Sequence, residues 1–350
     1  MRTGRRLALV AAILACVASP PAWGQEIRGR VVERATGEAV MGGFAVLVDE
    51  GGLEMARSLT DARGAFALLA PGPGTYRIRS ERIGFRVAVS DLIDLADNQV
   101  VEDYTLAVEP ILVQLDAITV EGDDICRVRP EEGMAAATVW EEIRKALAAT
   151  RWLEQSRLLT YRIFKYRREL KPDLRVEREA GNFEVVSASR PFHTEDPALL
   201  EADGYVRIER GDAVFFGPDA HLLLSDPFLD GHCFRLMPSE DGSDHVGLTF
   251  VPLADSVPNL TGVLWVDRAS AELRRLEFTF VNLPISIEVK HMGGEVTFRR
   301  TPDGAWVATA WYLRAPVIRT RGARPFRRQY LDGYVEEGAE LVEIMPPDSP

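Results

Sequence analysis

The residues that could carry acid–base or metal chemistry are five histidines dispersed along an acidic chain. They are His193, His221, His232, His245 and His291. No two of them have the H-E-x-x-H spacing, which places two imidazoles on one helix face to hold zinc. Neither His193 nor His221 begins the His-x-x-Glu pattern of a zinc carboxypeptidase. The sequence therefore predicts no catalytic histidine pair.

A metal site remains an alternative only where histidines and aspartates gather in the middle of the chain. This group is His221, His232, His245, Asp226, Asp230, Asp241 and Asp244. Imidazole and carboxylate groups are zinc ligands, so convergence of these residues would allow a site. Solvated loops rich in Asp, Gly and Ser account for the same composition. We predict no metal and no cofactor here.

Motifs for nucleophilic or phosphate chemistry are also missing from the sequence. There is no G-x-S-x-G nucleophile elbow, no P-loop and no dinucleotide fingerprint after a strand. The chain is thus predicted not to be an enzyme. A cryptic hydrolase stays open as an alternative, which requires the dispersed histidines to meet around one pocket.

The N-terminus has the features of an export signal. Residues 1–6 are positively charged, residues 7–18 are apolar but too short to span a bilayer, and residues 22–24 fit a small-x-small cleavage site. We interpret residues 1–24 as a signal peptide. An N-terminal membrane anchor is one alternative, and lipidation at Cys16 is another, because residues 13–16 loosely resemble a lipobox.

Cleavage after Gly24 would leave only Cys126 and Cys233 of the three cysteines. An even pair in an oxidising compartment favours a disulfide over a reactive thiol or a metal ligand. The loop between them is long, so the chain-entropy model assigns an unstrained bond about 4 to 5 kcal/mol.

Composition is that of a folded protein, with 46% hydrophobic and 27% charged residues. The length of 350 residues suits two domains. A net charge of −12 argues against nucleic acid as a partner, and against an anionic membrane surface as the main attraction.

Short strands broken by turn residues are predicted over residues 25–122. Turns are indicated at Thr36 and Gly37, between Asp61 and Gly64, and over residues 71–74. In order and spacing, residues 27–39, 60–66, 73–76 and 83–85 resemble the carboxypeptidase regulatory-like domain, a small transthyretin-like β-sandwich. The resemblance implies a non-catalytic extracellular accessory domain, and it does not imply carboxypeptidase activity.

One amphipathic helix follows a polar linker at residues 123–134. It is predicted over residues 135–150, with an apolar face of Ala136, Trp140, Ile143 and Leu147. The opposite, polar face is predicted to hold Glu141, Glu142, Arg144 and Lys145. The apolar face is typical of a helix on a sheet, and a partner-binding helix is the alternative.

The period then changes to two, which predicts a long antiparallel sheet. In the hairpin at residues 262–268 and 273–280, Leu276, Phe278 and Phe280 are predicted to face inward. Further strands are predicted at residues 159–166, 296–298, 306–312 and 329–344. We therefore expect a β-rich domain over residues 135–345, with one helix on a curved sheet.

This hairpin and the helix-plus-sheet layout resemble the half-barrels of lipoprotein-carrier-like periplasmic proteins. That resemblance implies an apolar ligand on the inner face of the sheet. The candidate ligand face is Trp140, Trp265, Phe278, Phe280 and Trp311. The alternative is that these side chains fill a core covered by the helix, and we favour the core.

The sequence as a whole predicts a mainly β protein, with a sandwich at residues 25–122 followed by an α+β domain. We expect an exported, non-catalytic binding or scaffold protein of the bacterial cell envelope. It would be periplasmic, outer-membrane-associated or secreted, with an envelope protein or an apolar ligand as partner. A lipid carrier and a carbohydrate-binding module are the alternatives, the latter because the sandwich resembles sugar-binding folds. Membrane association is expected only through lipidation at Cys16.

Overall fold

The computed structural model describes residues 24–111, 134–157, 159–187, 190–192, 195–209, 212–239, 243–302, 304–322 and 327–345. The predicted fold class is confirmed, because the chain is mainly β, with a sandwich followed by an α+β arrangement. Cys16 and Cys126 lie outside these residues. No helix in the described ranges is both long enough and apolar enough to cross a bilayer.

The first eight strands form the two sheets of the sandwich. They are β1 (Glu26–Glu33), β2 (Phe44–Asp49), β3 (Glu54–Leu59), β4 (Ala65–Leu69), β5 (Gly74–Glu81), β6 (Ala88–Val89), β7 (Ile93–Leu95) and β8 (Val100–Val108). One sheet has the order β4-β1-β8, in which β1 and β8 are parallel. The other has the order β3-β2-β5-β6, with β7 paired to β5. Ile27, Leu47, Leu68 and Ile78 pack between the two sheets.

The second part has four helices among its described residues. They are α1 (Met134–Ser156), α2 (Pro197–Asp203), α3 (Ala220–Leu223) and α4 (Asp226–Gly231). α1 covers the predicted helix and continues for another turn and a half. Asp196, Asp219 and Ser225 cap α2, α3 and α4 by accepting backbone N–H bonds that would otherwise be unsatisfied.

Nine of the remaining strands form one antiparallel sheet, in the order β10-β9-β19-β18-β17-β16-β15-β14-β13. They are β9 (Thr160–Leu170), β10 (Val176–Val186), β13 (His232–Pro238), β14 (His245–Pro252), β15 (Asn259–Asp267), β16 (Leu273–Val281), β17 (Gly293–Arg300), β18 (Trp306–Arg321) and β19 (Arg328–Met345). The strands β11 (Val206–Glu209) and β12 (Asp212–Phe215) form a separate hairpin. The predicted hairpin of β15 and β16 is confirmed. Residues 329–344, for which the sequence predicts one or two closing strands, lie in the single strand β19.

One face of the large sheet is apolar and is covered by the helices. Direct cross-strand partners share a face, and one row of partners crosses β13 to β19. That row is Leu236, Leu248, Leu264, Leu276, Val296, Trp311 and Ala339. We call this the helix-covered face and the opposite side the outer face.

Glycines on the sheet lie under aromatic rings from neighbouring strands. A Cβ on Gly262 would lie 2.5 Å from Phe250, and one on Gly294 would lie 2.6 Å from Phe278. The absent side chain therefore makes room for a ring to lie on the backbone of the next strand, as in aromatic rescue of strand glycines.

This packing predicts the effect of Gly294→Ala. The new methyl group would lie 2.2 Å from the carbonyl oxygen of Tyr312, so backbone or ring must move. We expect a loss of about 2 kcal/mol in the free energy of unfolding, measured by urea denaturation. Gly72→Ala is the matched control, since nothing lies within 4 Å of its added Cβ. Equal stabilities of the two variants would contradict the packing argument.

Candidate functional site

The junction between the sandwich and the large sheet is built around β2, which is buried on both faces. Ala45 and Leu47 point into the sandwich core, while Phe44, Val46 and Val48 belong to the core that contains α1. The Phe44 ring packs edge-on against Trp152 of α1, with 5.1 Å between ring centroids. One continuous hydrophobic core thus joins the two parts of the chain.

An ion pair on α1 lies inside this junction. Lys145 Nζ donates to Glu142 Oε1 at 2.6 Å, and the two side chains expose only 2% and 1% of their surface. Glu142 Oε2 accepts the backbone N–H of Gly84 at 2.6 Å, and Lys145 also donates to the carbonyl oxygen of Phe85 at 2.7 Å. The pair therefore binds the Ile83-Gly84-Phe85 turn of the sandwich.

Glu142 and Lys145 lie opposite the apolar face of the helix, as predicted, but they are not exposed to water there. The sandwich covers that side of α1, so both charges leave water and meet each other and the backbone of the turn. Burial raises the pKa of Glu142, although Lys145 and the Gly84 N–H act in the opposite direction. Glu141 and Arg144 remain partly exposed, as expected, and pair with each other at 2.6 Å.

Two backbone contacts complete the junction. A Cβ on Gly42 would lie 2.3 Å from the carbonyl oxygen of Gly304, and one on Gly84 would lie 2.9 Å from that of Ser270. Both glycines also have a positive φ, of 69° and 81°. Turns of the sandwich thus lie directly on two hairpin turns of the large sheet, which leaves little freedom between the two parts.

The five residues of the predicted ligand face do not share one surface. Phe278, Phe280 and Trp311 are buried on the helix-covered face, and Trp140 packs against their core from α1. Trp265 lies on the outer face, opposite Arg275 in the next strand, and its indole N–H donates to Glu277 at 3.1 Å.

Aromatic side chains pack on the helix-covered face of the sheet, in the same core as α1. Phe192 packs on Phe278 with 5.5 Å between ring centroids, and Phe215 packs on Phe280 at 5.1 Å. A small cavity of about 10 Å³ lies at the junction, enough for roughly one water. Lys145, Arg300 and Trp306 are among its lining residues.

The central histidines do not converge. His232 and His245 each begin one strand of the β13–β14 hairpin, so they lie at opposite ends of it. His221 is exposed at the end of α3. No group of three or more potential ligands suited to a metal occurs among the residues that the structure describes. His193 and Asp241 lie outside those residues.

His232 instead belongs to a buried polar cluster. Its Nδ1 lies 2.9 Å from the carbonyl oxygen of Phe228, its Nε2 lies 3.2 Å from that of Leu260, and its side chain is fully buried. Glu201 Oε1 lies 3.8 Å from Nδ1 and accepts a short hydrogen bond from Tyr205. Burial lowers the pKa of His232 and raises that of Glu201. The cluster joins α2 and α4 to the sheet, and its imidazole does not reach solvent.

Glu154 is a second buried acid that sequence reasoning missed. Burial raises its pKa to about 7, although Arg190 opposes this from 3.5 Å. Its Oε1 has no hydrogen-bond partner among the described residues. Its place near the end of α1, on the side facing Tyr161 and Trp306, follows only once the helix is known to continue past Thr150.

The predicted disulfide stays a prediction, because Cys126 lies outside the described residues. Cys233 is buried on β13, next to His232. The predicted signal peptide and linker also lie in undescribed stretches, apart from Gly24 and Met134 at their ends.

Comparisons with known proteins do not assign the chain to a family. No family model and no curated protein matches it. A pilus 2b backbone protein of group B streptococcus is 17% identical over 25% of this chain, with a TM-score of 0.22. The match spans only 41% of the pilus protein's length.

Two other solved structures cover more of the chain. A putative outer membrane lipoprotein-sorting protein domain from Vibrio parahaemolyticus is 12% identical, with a TM-score of 0.29, and the match covers 59% of this chain and 93% of that domain. A DUF3823 family protein from Parabacteroides merdae is 10% identical, with a TM-score of 0.21, and the match covers 73% and 96%. At these TM-scores the likeness carries no argument about function.

The junction predicts a large effect of Glu142→Gln. The variant leaves the Lys145 ammonium buried without its counter-charge, so we expect the free energy of unfolding to fall by about 3 to 5 kcal/mol. Urea denaturation measures it. Glu141→Gln breaks a partly exposed pair at the same spacing on the same helix and should cost less than about 1 kcal/mol. Similar losses in both variants would contradict a buried pair.

Glu154 predicts a specific dependence of stability on pH. Its folded pKa lies above that of the unfolded chain, so its contribution is fully present below about pH 4.5 and is lost as pH rises through 7. Glu154→Gln, which mimics the protonated acid, should therefore be more stable than the wild type at pH 8 by up to about 3 kcal/mol and equal to it at pH 4. Denaturant titrations at several pH values measure this difference.

The control for that titration is Glu50→Gln in an exposed turn. Its stability profile should run parallel to that of the wild type across the same pH range. A parallel profile for Glu154→Gln would show that Glu154 is not the group responsible.

Proposed function

We propose that this protein is an exported, non-catalytic binding or scaffold protein of the cell envelope. The observation that carries the proposal is the shared core at the junction, where β2 and the Glu142–Lys145 pair join the sandwich to the large sheet. A hydrophobic contact of this kind resists relative domain motion. A rigid two-part body suits a protein that presents its outer surfaces at a fixed spacing.

The placement of the titratable groups supports the non-catalytic part of the proposal. General acid–base catalysis needs a group within hydrogen-bond reach of a substrate. His232 is fully buried and contacts two backbone carbonyl oxygens, and Glu201 is held by Tyr205. Glu154, near the end of α1, faces Tyr161 and Trp306. These side chains contribute to the fold, where their partners are protein atoms.

Export is supported by the sequence of residues 1–24, with its basic start, apolar stretch and small residues before Gln25. The resemblance of residues 25–122 to a carboxypeptidase regulatory-like domain points to the same compartment. Both remain predictions from sequence.

A lipid carrier is the second candidate, because the helix-on-sheet layout resembles carrier half-barrels. A carrier needs room for acyl chains, and pockets that hold such ligands usually measure about 300 to 1,000 Å³. Phe192 and Phe215 occupy the corresponding space here. Carrying would require these rings to move aside. A carbohydrate-binding module is the third candidate and would use aromatic rings on one flat exposed face.

Native mass spectrometry of the protein purified from its own envelope fraction separates the first two candidates. We expect a protein mass with no lipid-sized adduct, both before and after mild denaturation. A known lipid carrier, purified in parallel, controls for loss of ligand during preparation. A lipid-sized mass released on unfolding would favour the carrier over the scaffold.

The same spectrum also reports the N-terminus and the state of the cysteines. The export and disulfide predictions require a chain that begins at Gln25 and is lighter by two hydrogen atoms than the reduced form. A lipid-modified N-terminus at Cys16 would support the lipidation alternative instead.

A further inference from the structure

The two longest strands of the large sheet extend beyond their neighbours. β9 follows β19 only as far as the pair Leu170 and Tyr334, and β17 follows β18 only as far as Gly293 and Arg314. β18 and β19 remain paired with each other up to Arg321 and Arg328. Residues 317–322 and 327–333 therefore form a protruding two-stranded segment, which we call the arginine ribbon.

One face of the arginine ribbon is basic and aromatic. Arg319 lies opposite Tyr330, and Arg321 lies opposite Arg328, so all four share a face. Tyr330 exposes 41% of its surface, and the three arginines are exposed. Arg319 is paired with Asp332 at 2.6 Å.

Among the described residues, no carboxylate pairs with the arginines at the end of the ribbon. Arg321 and Arg328 face each other across the strands, an arrangement of like charges that destabilises a sheet. Within the described part of the chain, neither they nor the adjacent Arg327 lie within 4.0 Å of a carboxylate. Lys171, beside Gly333 at the base of the ribbon, likewise has no ion pair there. A partner that supplies negative charge would relieve this repulsion.

The other face of the ribbon is held by the chain itself. Gln329 accepts hydrogen bonds from the backbone N–H and the hydroxyl of Ser286, both at 2.8 Å. The Tyr334 hydroxyl donates to the carbonyl oxygen of Lys290 just below. The segment before β17 thus fixes one face of the ribbon. The other face, with its arginines and Tyr330, is left exposed to solvent.

We propose that the arginine ribbon docks on a membrane surface that contains anionic phospholipids. Arg321 and Arg328 contact headgroup phosphates, for which a guanidinium offers two parallel N–H bonds. Tyr330 lies at the interface between headgroups and acyl chains, the position that tyrosine prefers. The inference goes beyond the proposed function, which names no binding surface.

The shape and charge of the molecule favour a flat anionic surface over a folded acidic partner. The ribbon is narrow and protrudes, so it can reach a plane without contact from the rest of the body. The whole chain, including the basic ribbon, carries a net charge of −12. The rest of the molecule is therefore acidic and is repelled by an anionic surface. That repulsion fades within about 10 Å at ordinary ionic strength, which lets the arginine ribbon bind and orients the molecule.

Vesicle co-sedimentation tests the proposal with the full mature protein. The probe is vesicles of phosphatidylcholine with about one third phosphatidylglycerol, compared with pure phosphatidylcholine at low salt. We expect binding to the anionic vesicles alone, weakening as salt rises. Inorganic phosphate in the buffer should not compete, because it offers single charges in place of a surface.

Variants locate the binding on the ribbon. Arg321→Gln with Arg328→Gln should lower the partition coefficient roughly 30-fold, because each basic residue near an anionic surface contributes about a fivefold factor. Arg321→Lys with Arg328→Lys should retain most of the binding. Arg63→Gln with Arg299→Gln removes the same charge from two exposed sites outside the ribbon and should leave binding within about twofold.

Three results would overturn the proposal: no binding to anionic vesicles, equal binding to neutral vesicles, or the same loss in the control double variant. Binding of polyglutamate at a salt concentration where the anionic vesicles are not bound would instead favour an acidic protein as the partner. Thermal unfolding monitored by circular dichroism accompanies each variant. The ribbon variants should melt no lower than the wild type, since they remove or retain a repulsive pair.

Discussion

The buried pair of Glu142 and Lys145 is the interaction on which the arrangement of this molecule depends. Removing two charges from water is costly, and the cost is offset only when each charge finds partners of good geometry. Here those partners include the backbone N–H of Gly84 and the carbonyl oxygen of Phe85, which belong to the sandwich. The helix can therefore bury its charged side only when the sandwich is docked, so folding of the two parts is coupled.

The large sheet packs against the other side of α1, where an apolar face must be buried. Its helix-covered face is apolar from β13 to β19, and it can be buried only if side chains fill the space above it. Phe192, Phe215 and α1 do so, while glycines such as Gly262 let rings lie directly on the backbone. The helix-covered face of the sheet is thereby part of a packed core.

Charged side chains are arranged differently in the body of the large sheet and at its protruding end. Within the body of the sheet, acids and bases are matched locally, as in the pairing of Arg314 and Arg168 with the buried Glu336 on the outer face. At the protruding end of β18 and β19, the matching stops, and arginines face one another. Net charge is a sum over the whole chain. It therefore does not reveal that strand pairing gathers positive charge at one end of an acidic protein.

The sequence by itself determined what depends on local period: the β class, helix α1, and the hairpin in which Phe278 and Phe280 face inward. A period of 2 or 3.6 states which residues share a face, because that follows from backbone geometry. It does not state what covers the face. The burial of Glu142 and Lys145, the outward position of Trp265 opposite Arg275, and the carbonyl partners of His232 were decided only by the tertiary structure. Each of these depends on a segment that is distant in sequence. The register or docking of such a segment produces no periodic pattern from which it could be predicted.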